Sequence, residues 1–282
     1  MTYDSLRRHL VSHLQELVRE RDPYVGSQGH FYAKHYIQSQ LNQWGKSEVM
    51  PFTLRGQQHH NLCLNLPGRT ELAPVVVGAH YDTVPGCPGA DDNATGVAVL
   101  LELARHFATQ PSRRPVHLVA FDLEEYGLLG SQAYVKTLAG RSIHLMLSLE
   151  MLGYCAKPSD PQPSQAYPVN GLDYIYPKTG DFIALIGNWQ TIPILHQLKQ
   201  NFRKANVRCA WLPMVNRGKP LPATRRSDHA TFWDAGYNAV LITDTADLRN
   251  PHYHQATDTL DTLDLDFLTQ VCRGLQRAIA LL

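Results

Sequence analysis

The chain has 282 residues, 44% hydrophobic and 18% charged, which is enough apolar material for a sizeable core and the wrong balance for a disordered chain. Lys and Arg number 26 against 25 Asp and Glu, a net charge of +1, so a dedicated nucleic-acid binder or polybasic membrane binder is not expected. No run approaches the roughly 18 apolar residues that a bilayer span requires.

Leu6, Leu10, Leu14 and Leu17 recur at helical spacing, so residues 3–20 read as an amphipathic helix. Arg7, Arg8 and His9 interrupt the apolar positions before a signal-peptide core can form, and a cytoplasmic location is expected. Ile37, Leu41 and Trp44 mark a second helix, stopped by Gly45. Strand-like runs follow at 48–54, 61–66 and 74–79, then a long helix over 94–108 and a buried strand over 115–122. A helix over 131–138 and strands at 143–150 and 181–187 come next. A helix near 190–205, strands at 207–212 and 239–245, and a last helix over 264–281 complete the series.

Strands alternating with helices predict an α/β fold with a mainly parallel sheet covered on both faces. No linker strong enough to divide the chain is seen, so a single domain over 1–282 is expected. Segment 154–180, with five prolines among Ser, Gln and Tyr, is too long for a simple connection and reads as either a functional loop or a mobile one. Its aromatic residues, together with Trp211, are candidates for lining a pocket, whereas Trp233 reads as core. The five cysteines are odd in number, widely spaced and without a CxxC, as expected of reduced and mostly buried thiols.

Acidic and histidine residues gather just after four apolar strand runs. His80 and Asp82 follow PVVVGA, Glu124 and Glu125 follow HLVAFDL, Glu150 ends IHLMLSLE, and Asp244, Asp247, His252 and His254 follow AVLITDT. Ligands of open α/β sheets bind beyond the carboxyl ends of strands, so four strands deliver metal-type ligands to one edge. His80 can give a neutral imidazole to a metal while Asp82, two residues on and on the same face, holds the other ring nitrogen. Asp91 and Asp92 open the 94–108 helix; a cap needs one Asp, and a carboxylate there can also bridge two cations. Asn93-Ala94-Thr95 forms a glycosylation sequon, set aside because no signal peptide is seen. Adjacent Glu124 and Glu125 point different ways from one turn, so one can ligate while the other shuttles a proton. The segment 225–264 holds three histidines near acids, and several pairings are open. Ser227-Asp228-His229 superficially suggests a triad, but no GxSxG elbow accompanies it. His59 and His60 read as surface residues.

GAHYD, GADDNATG, DLEEYGLLGSQ, LEMLGY, RSDHATFWDAGY and NPHYHQATDTLDTLD occur in this order. Together they resemble family twenty-eight of the zinc metallopeptidases, which includes aminopeptidase Y, bacterial leucyl aminopeptidases and the glutaminyl cyclases. The resemblance runs from about residue 75 to the C-terminus. It implies a three-layer αβα sandwich around a mixed, mainly parallel sheet, and a zinc-dependent exopeptidase acting on peptide N-termini. Carried over by position, His80 and Glu150 resemble ligands of one zinc, and Glu125 and His254 ligands of the other. Asp92 resembles the carboxylate that bridges both, Glu124 the general base, and Asp82 the partner of His80. Two zinc ions per chain are expected, one being possible because Glu150 stands where better-known members carry Asp. The family pattern favours His254 over His252, and Asp228 and His229 read as part of the site wall. The alternative that the resemblance implies is a glutaminyl cyclase-like acyltransferase with a single zinc. A binding module that has lost its ligands is disfavoured, because every ligand position carries a competent residue. The expected partner is a peptide substrate, with neither nucleic acid nor membrane.

Overall fold

The structure is a computed structural model that describes residues 2–156 and 166–282. Part of the anticipated loop over 154–180, including Pro158, Pro161 and Pro163, lies outside the described residues. Eight strands form one sheet: β1 (Glu48–Leu54), β2 (Gln57–Leu66), β3 (Val75–His80), β4 (Val116–Phe121), β5 (Leu145–Glu150), β6 (Ile183–Asn188), β7 (Cys209–Met214) and β8 (Ala239–Thr243). Their spatial order is β1-β2-β4-β3-β5-β8-β6-β7. The central four, β4-β3-β5-β8, run parallel, as do β6 and β7. The pairs β1–β2, β2–β4 and β6–β8 are antiparallel.

The continuous apolar runs mark the centre of the sheet. Every residue of β3, β5 and β8 is buried, as both-face coverage demands. Helices α1 (Tyr3–Leu17), α2 (Ser27–Asn42), α3 (Gly96–Thr109), α5 (Ile192–Lys204) and α7 (Leu265–Leu281) share a core cluster with the strands on one face. Helices α4 (Leu129–Leu138) and α6 (His229–Asp234) close the other face through Tyr134, Leu138, Phe232 and Trp233. Trp233 is core, as anticipated, and its indole donates to the Ala239 carbonyl at 3.0 Å. All five cysteines are free, four of them buried. Among the described residues no helix is long and apolar enough to cross a membrane.

Register explains where the chemistry collects. His80 pairs with Phe121 across β3–β4, and Glu150 pairs with Thr243 across β5–β8, so four parallel strands end level with one another. The turns after them therefore face one another beyond the same sheet edge. β3 has its two neighbours built on opposite sides, β4 and β5, which makes the edge between them a switch point where a crevice opens.

Candidate metal centre

Asp92 lies at the middle of the cluster and is almost fully buried. Its Oδ1 is 3.2 Å from His80 Nε2, and its Oδ2 is 3.2 Å from His254 Nε2. Each imidazole nitrogen meets a second carboxylate: His80 Nε2 meets Glu150 Oε1 at 3.2 Å, and His254 Nε2 meets Glu125 Oε2 at 3.1 Å. One carboxylate thus faces two His–Glu pairs, one through each oxygen. Glu124 packs on the His80–Glu150 side, its ligand atom within 4.8 Å of theirs.

The surrounding backbone is shaped by two buried aspartates used in the same way. Asp82 accepts the N–H of Glu124 on Oδ1 and of Glu125 on Oδ2, both at 3.1 Å, and lies 3.5 Å from His80 Nδ1. Asp258 accepts the N–H of Asp91 at 2.9 Å and of Asp92 at 3.1 Å. Asn93 ties the same turn to the end of β5: its Oδ1 takes the Met151 N–H at 3.1 Å and its amide donates to the Leu149 carbonyl at 2.8 Å. The side chain of Ser227 donates to Glu150 Oε2 at 2.7 Å. Left-handed backbone recurs around the cluster, at Leu123, Met151 and His254, with φ of 56°, 48° and 57°. Non-glycine residues hold such angles at a cost of about 1–3 kcal/mol, and they concentrate where side chains must be aimed.

The electrostatics are those of a cage built for cations. Burial pushes the Glu124 carboxyl well above its usual range, and Glu150 and Glu125 add to it. Burial and the nearby Asp92 raise Glu125 to about 7. Asp92 is held low, because the adjacent imidazoles of His254 and His80 outweigh its burial. Asp92 Oδ1 and His254 Nε2 are buried without a hydrogen-bond partner, since their contacts within the cluster lack hydrogen-bond geometry. Four buried or half-buried carboxylates and two imidazoles, with no thiolate and with Asp92 Oδ1 and His254 Nε2 left without hydrogen bonds, match the oxygen and nitrogen donor sets of zinc. The residues present therefore fit the metal.

The structure brings together all seven residues singled out in the sequence: His80, Asp82, Asp92, Glu124, Glu125, Glu150 and His254. His252 points elsewhere, its Nδ1 bonding Thr257 Oγ1 at 2.9 Å. His229 is buried against Trp233, with Nε2 on the Thr224 carbonyl at 2.8 Å, and Ser227 is engaged by Glu150 and Ser148, so no triad forms. His59 is not a surface residue. It is 5% exposed, its Nδ1 lies 3.7 Å from buried Asp122, and Asp122 also takes the His60 N–H at 3.1 Å. A buried carboxylate needs such partners, and alternation along β2 gave no hint of one. Asp258, Asn93 and Ser227 were also missed: a DT tail, a sequon and an RSD run read as ordinary polar loops.

Next to Glu150 opens a cavity of about 100 Å³ that includes Arg226, Thr245, Asp247 and Tyr253. It shares Ile186, Ala223, Thr245 and Leu248 with an apolar pocket of about 70 Å³ lined by Tyr167, Tyr176, Phe182 and Trp211. The expectation that aromatic residues of the 154–180 segment and Trp211 line a pocket therefore holds for the described part.

Residues 61–279 match the model described as peptidase family M28. The chain is 37% identical over 242 residues to the Escherichia coli (strain K12) protein YfbL, covering 81% of this chain and 72% of that one. A solved structure of a zinc aminopeptidase from Bacillus subtilis is 25% identical and superposes with a TM-score of 0.60, over 80% of this chain and 50% of that one. A Bacteroides thetaiotaomicron glutaminyl cyclase, 17% identical, shares the fold with a TM-score of 0.71 over 99% and 97%. The chain spans 54–64% of the length of the fungal leucine aminopeptidases that it matches.

Proposed function

Since the chain belongs to peptidase family M28, we propose that it is a zinc aminopeptidase, one catalytic unit that hydrolyses the N-terminal residue from peptides. The observation that carries the proposal is Asp92, with one oxygen toward His80 and Glu150 and the other toward His254 and Glu125. On this reading His80 and Glu150 would hold one zinc ion, His254 and Glu125 would hold another, and Asp92 would serve both pairs. Bound zinc supplies Lewis acidity to the scissile carbonyl and lowers the pKa of the attacking water.

Glu124 is the proton carrier. It takes a proton from the attacking water and returns it to the departing amine, a role for a carboxyl whose proton affinity burial has raised. Asp82 fixes both glutamates through their backbone N–H groups, so the base and a ligand keep one relative placement. Ser227 holds one oxygen of Glu150 and leaves the other for the site. The paired cavities beside Glu150 take the side chain of the residue to be released, and Tyr253 and Arg226 form part of their wall.

The test is a panel of amino-acid arylamides, N-acetylated counterparts and a Gln-initiated peptide, assayed before and after chelation. Release from free-amine substrates, loss on chelation and recovery with zinc support the proposal. Equal cleavage of blocked substrates, or full activity in the chelator, refutes it. Pyroglutamate formation without hydrolysis assigns the chain to glutaminyl cyclase-like acyl transfer instead.

A further inference from the structure

Residues 21–30 precede the segment that matches the family model, yet they touch both turns of the metal centre. Arg21 is fully buried. Six backbone carbonyl oxygens lie within 3.5 Å of its guanidinium. Nε donates to Tyr81 O at 2.8 Å. Nη1 lies 2.5 Å from Leu17 O, 3.0 Å from Arg19 O and 2.8 Å from Pro88 O. Nη2 lies 2.9 Å from Gly89 O and 3.5 Å from Asp92 O. The Arg21 N–H donates to Thr83 Oγ1 at 2.8 Å. Four of those carbonyls belong to the turn that joins His80 to Asp92, and the contacts span it from end to end.

A buried cation that spends its donors on carbonyls instead of a carboxylate is an expensive arrangement for a mere surface tie. Burial lowers its pKa to about 10, so the group remains a cation at neutral pH. The turn is folded tightly around it. Gly89 has φ +60°, and a Cβ there would lie 2.2 Å from Asp92 O and 2.8 Å from Arg21 Nη2. The planar fork of arginine can reach carbonyls in several directions at once, which a lysine ammonium cannot.

The next residues grip the other turn. Asp22 accepts the Tyr126 hydroxyl at 2.5 Å, the Tyr24 and Tyr126 rings pack at 5.1 Å, and His30 Nε2 bonds Asp122 Oδ1 at 2.7 Å. Asp122 and Tyr126 bracket Glu124 and Glu125.

We infer that Arg21 is a positioning residue for the metal centre: by holding the 81–92 turn it places Asp92 against both His–Glu pairs, and segment 21–30 thereby sets zinc affinity and turnover. This rests on the metal-dependent reading above. The experiment compares wild type with Arg21→Lys, Arg21→Ala and Tyr126→Phe. Zinc dissociation constants of the metal-free proteins are measured by competition with a chromophoric chelator. Near-ultraviolet circular dichroism and melting in chelator report folding, and kcat and KM are measured on one arylamide. Arg21→Lys is expected to fold, to bind zinc at least tenfold more weakly, equivalent to about 1.4 kcal/mol, and to lose kcat with little change in KM. Guanidinium at low millimolar concentration is expected to restore part of the zinc affinity of Arg21→Ala. Tyr126→Phe, which removes one exposed-side hydroxyl, is expected to weaken zinc severalfold. A folded Arg21→Lys protein with zinc affinity and kcat within twofold of wild type overturns the inference. If both Arg21 variants fail to fold, an unchanged Tyr126→Phe protein overturns it. Wild type that binds no zinc would sink the functional reading instead, so the two failures are distinct.

Discussion

Replacing Asp82 with Asn tests how the centre is braced, because the change is nearly isosteric and removes no proposed ligand. The aspartate takes two backbone N–H groups, those of Glu124 and Glu125, one on each oxygen at 3.1 Å. Asn keeps one acceptor oxygen and turns an NH₂ toward the second N–H. One buried hydrogen bond to a charged acceptor is lost, at a cost of about 1.5–3 kcal/mol. His80 keeps a partner, since the Asp82 backbone carbonyl lies 3.2 Å from Nδ1. The loss therefore falls on the turn that carries Glu124 and Glu125. Losing a group that orients metal ligands typically weakens binding about 10- to 100-fold, which agrees with that hydrogen-bond cost. Competition with a chelator gives the zinc affinity, and steady-state assay on an arylamide gives kcat. A folded Asp82→Asn protein with both within twofold of wild type would refute the reasoning.

Glu124→Gln is expected to retain zinc and lose roughly 10²- to 10⁴-fold in kcat, the usual worth of a positioned general base; unchanged turnover would remove Glu124 from that role. His254→Ala is expected to lose bound zinc by elemental analysis while His252→Ala keeps it, and the reverse pattern would exchange their parts. Glu102, buried in α3, meets Arg105 at 2.5 Å and His13 at 3.4 Å. Burial pushes its carboxyl up, but His13 and Arg105 outweigh this and hold it below the usual value. A depressed folded pKa means stability that is present above the unfolded value and lost as pH falls through the folded one. Glu102→Gln should thus cost about 3 kcal/mol near neutral pH, by urea unfolding, with the gap to wild type narrowing below about pH 4. A gap that stays constant or widens in acid would contradict the pairing.

The centre of the fold was legible because its strands are buried on both faces and so read as apolar runs, as in Val75–Val77 and Leu145–Leu147. The edges were less so. The strand read from 61 in fact begins at Gln57, because Gln57 and Gln58 pair with Leu54 and Thr53 through backbone groups that leave no apolar signature. β7 is shifted two residues, to Cys209–Met214, and tolerates Pro213 as an edge strand can. The seven site residues were visible because metal ligands are chemically distinctive and follow strand ends. Their braces were not. Arg21 sits in VRERDPY, which looks like a solvated charge run, and nothing local shows that its guanidinium will enclose a turn sixty residues away.

Zinc bound per chain at full activity tests the central claim most directly. Metal-free protein titrated with zinc, with elemental analysis and arylamide turnover followed together, should reach maximal rate at two ions per chain. In Asp92→Asn both ions should bind more weakly, because one shared carboxylate serves them. Full activity with one ion, or an Asp92→Asn protein that weakens only one, would contradict the shared centre.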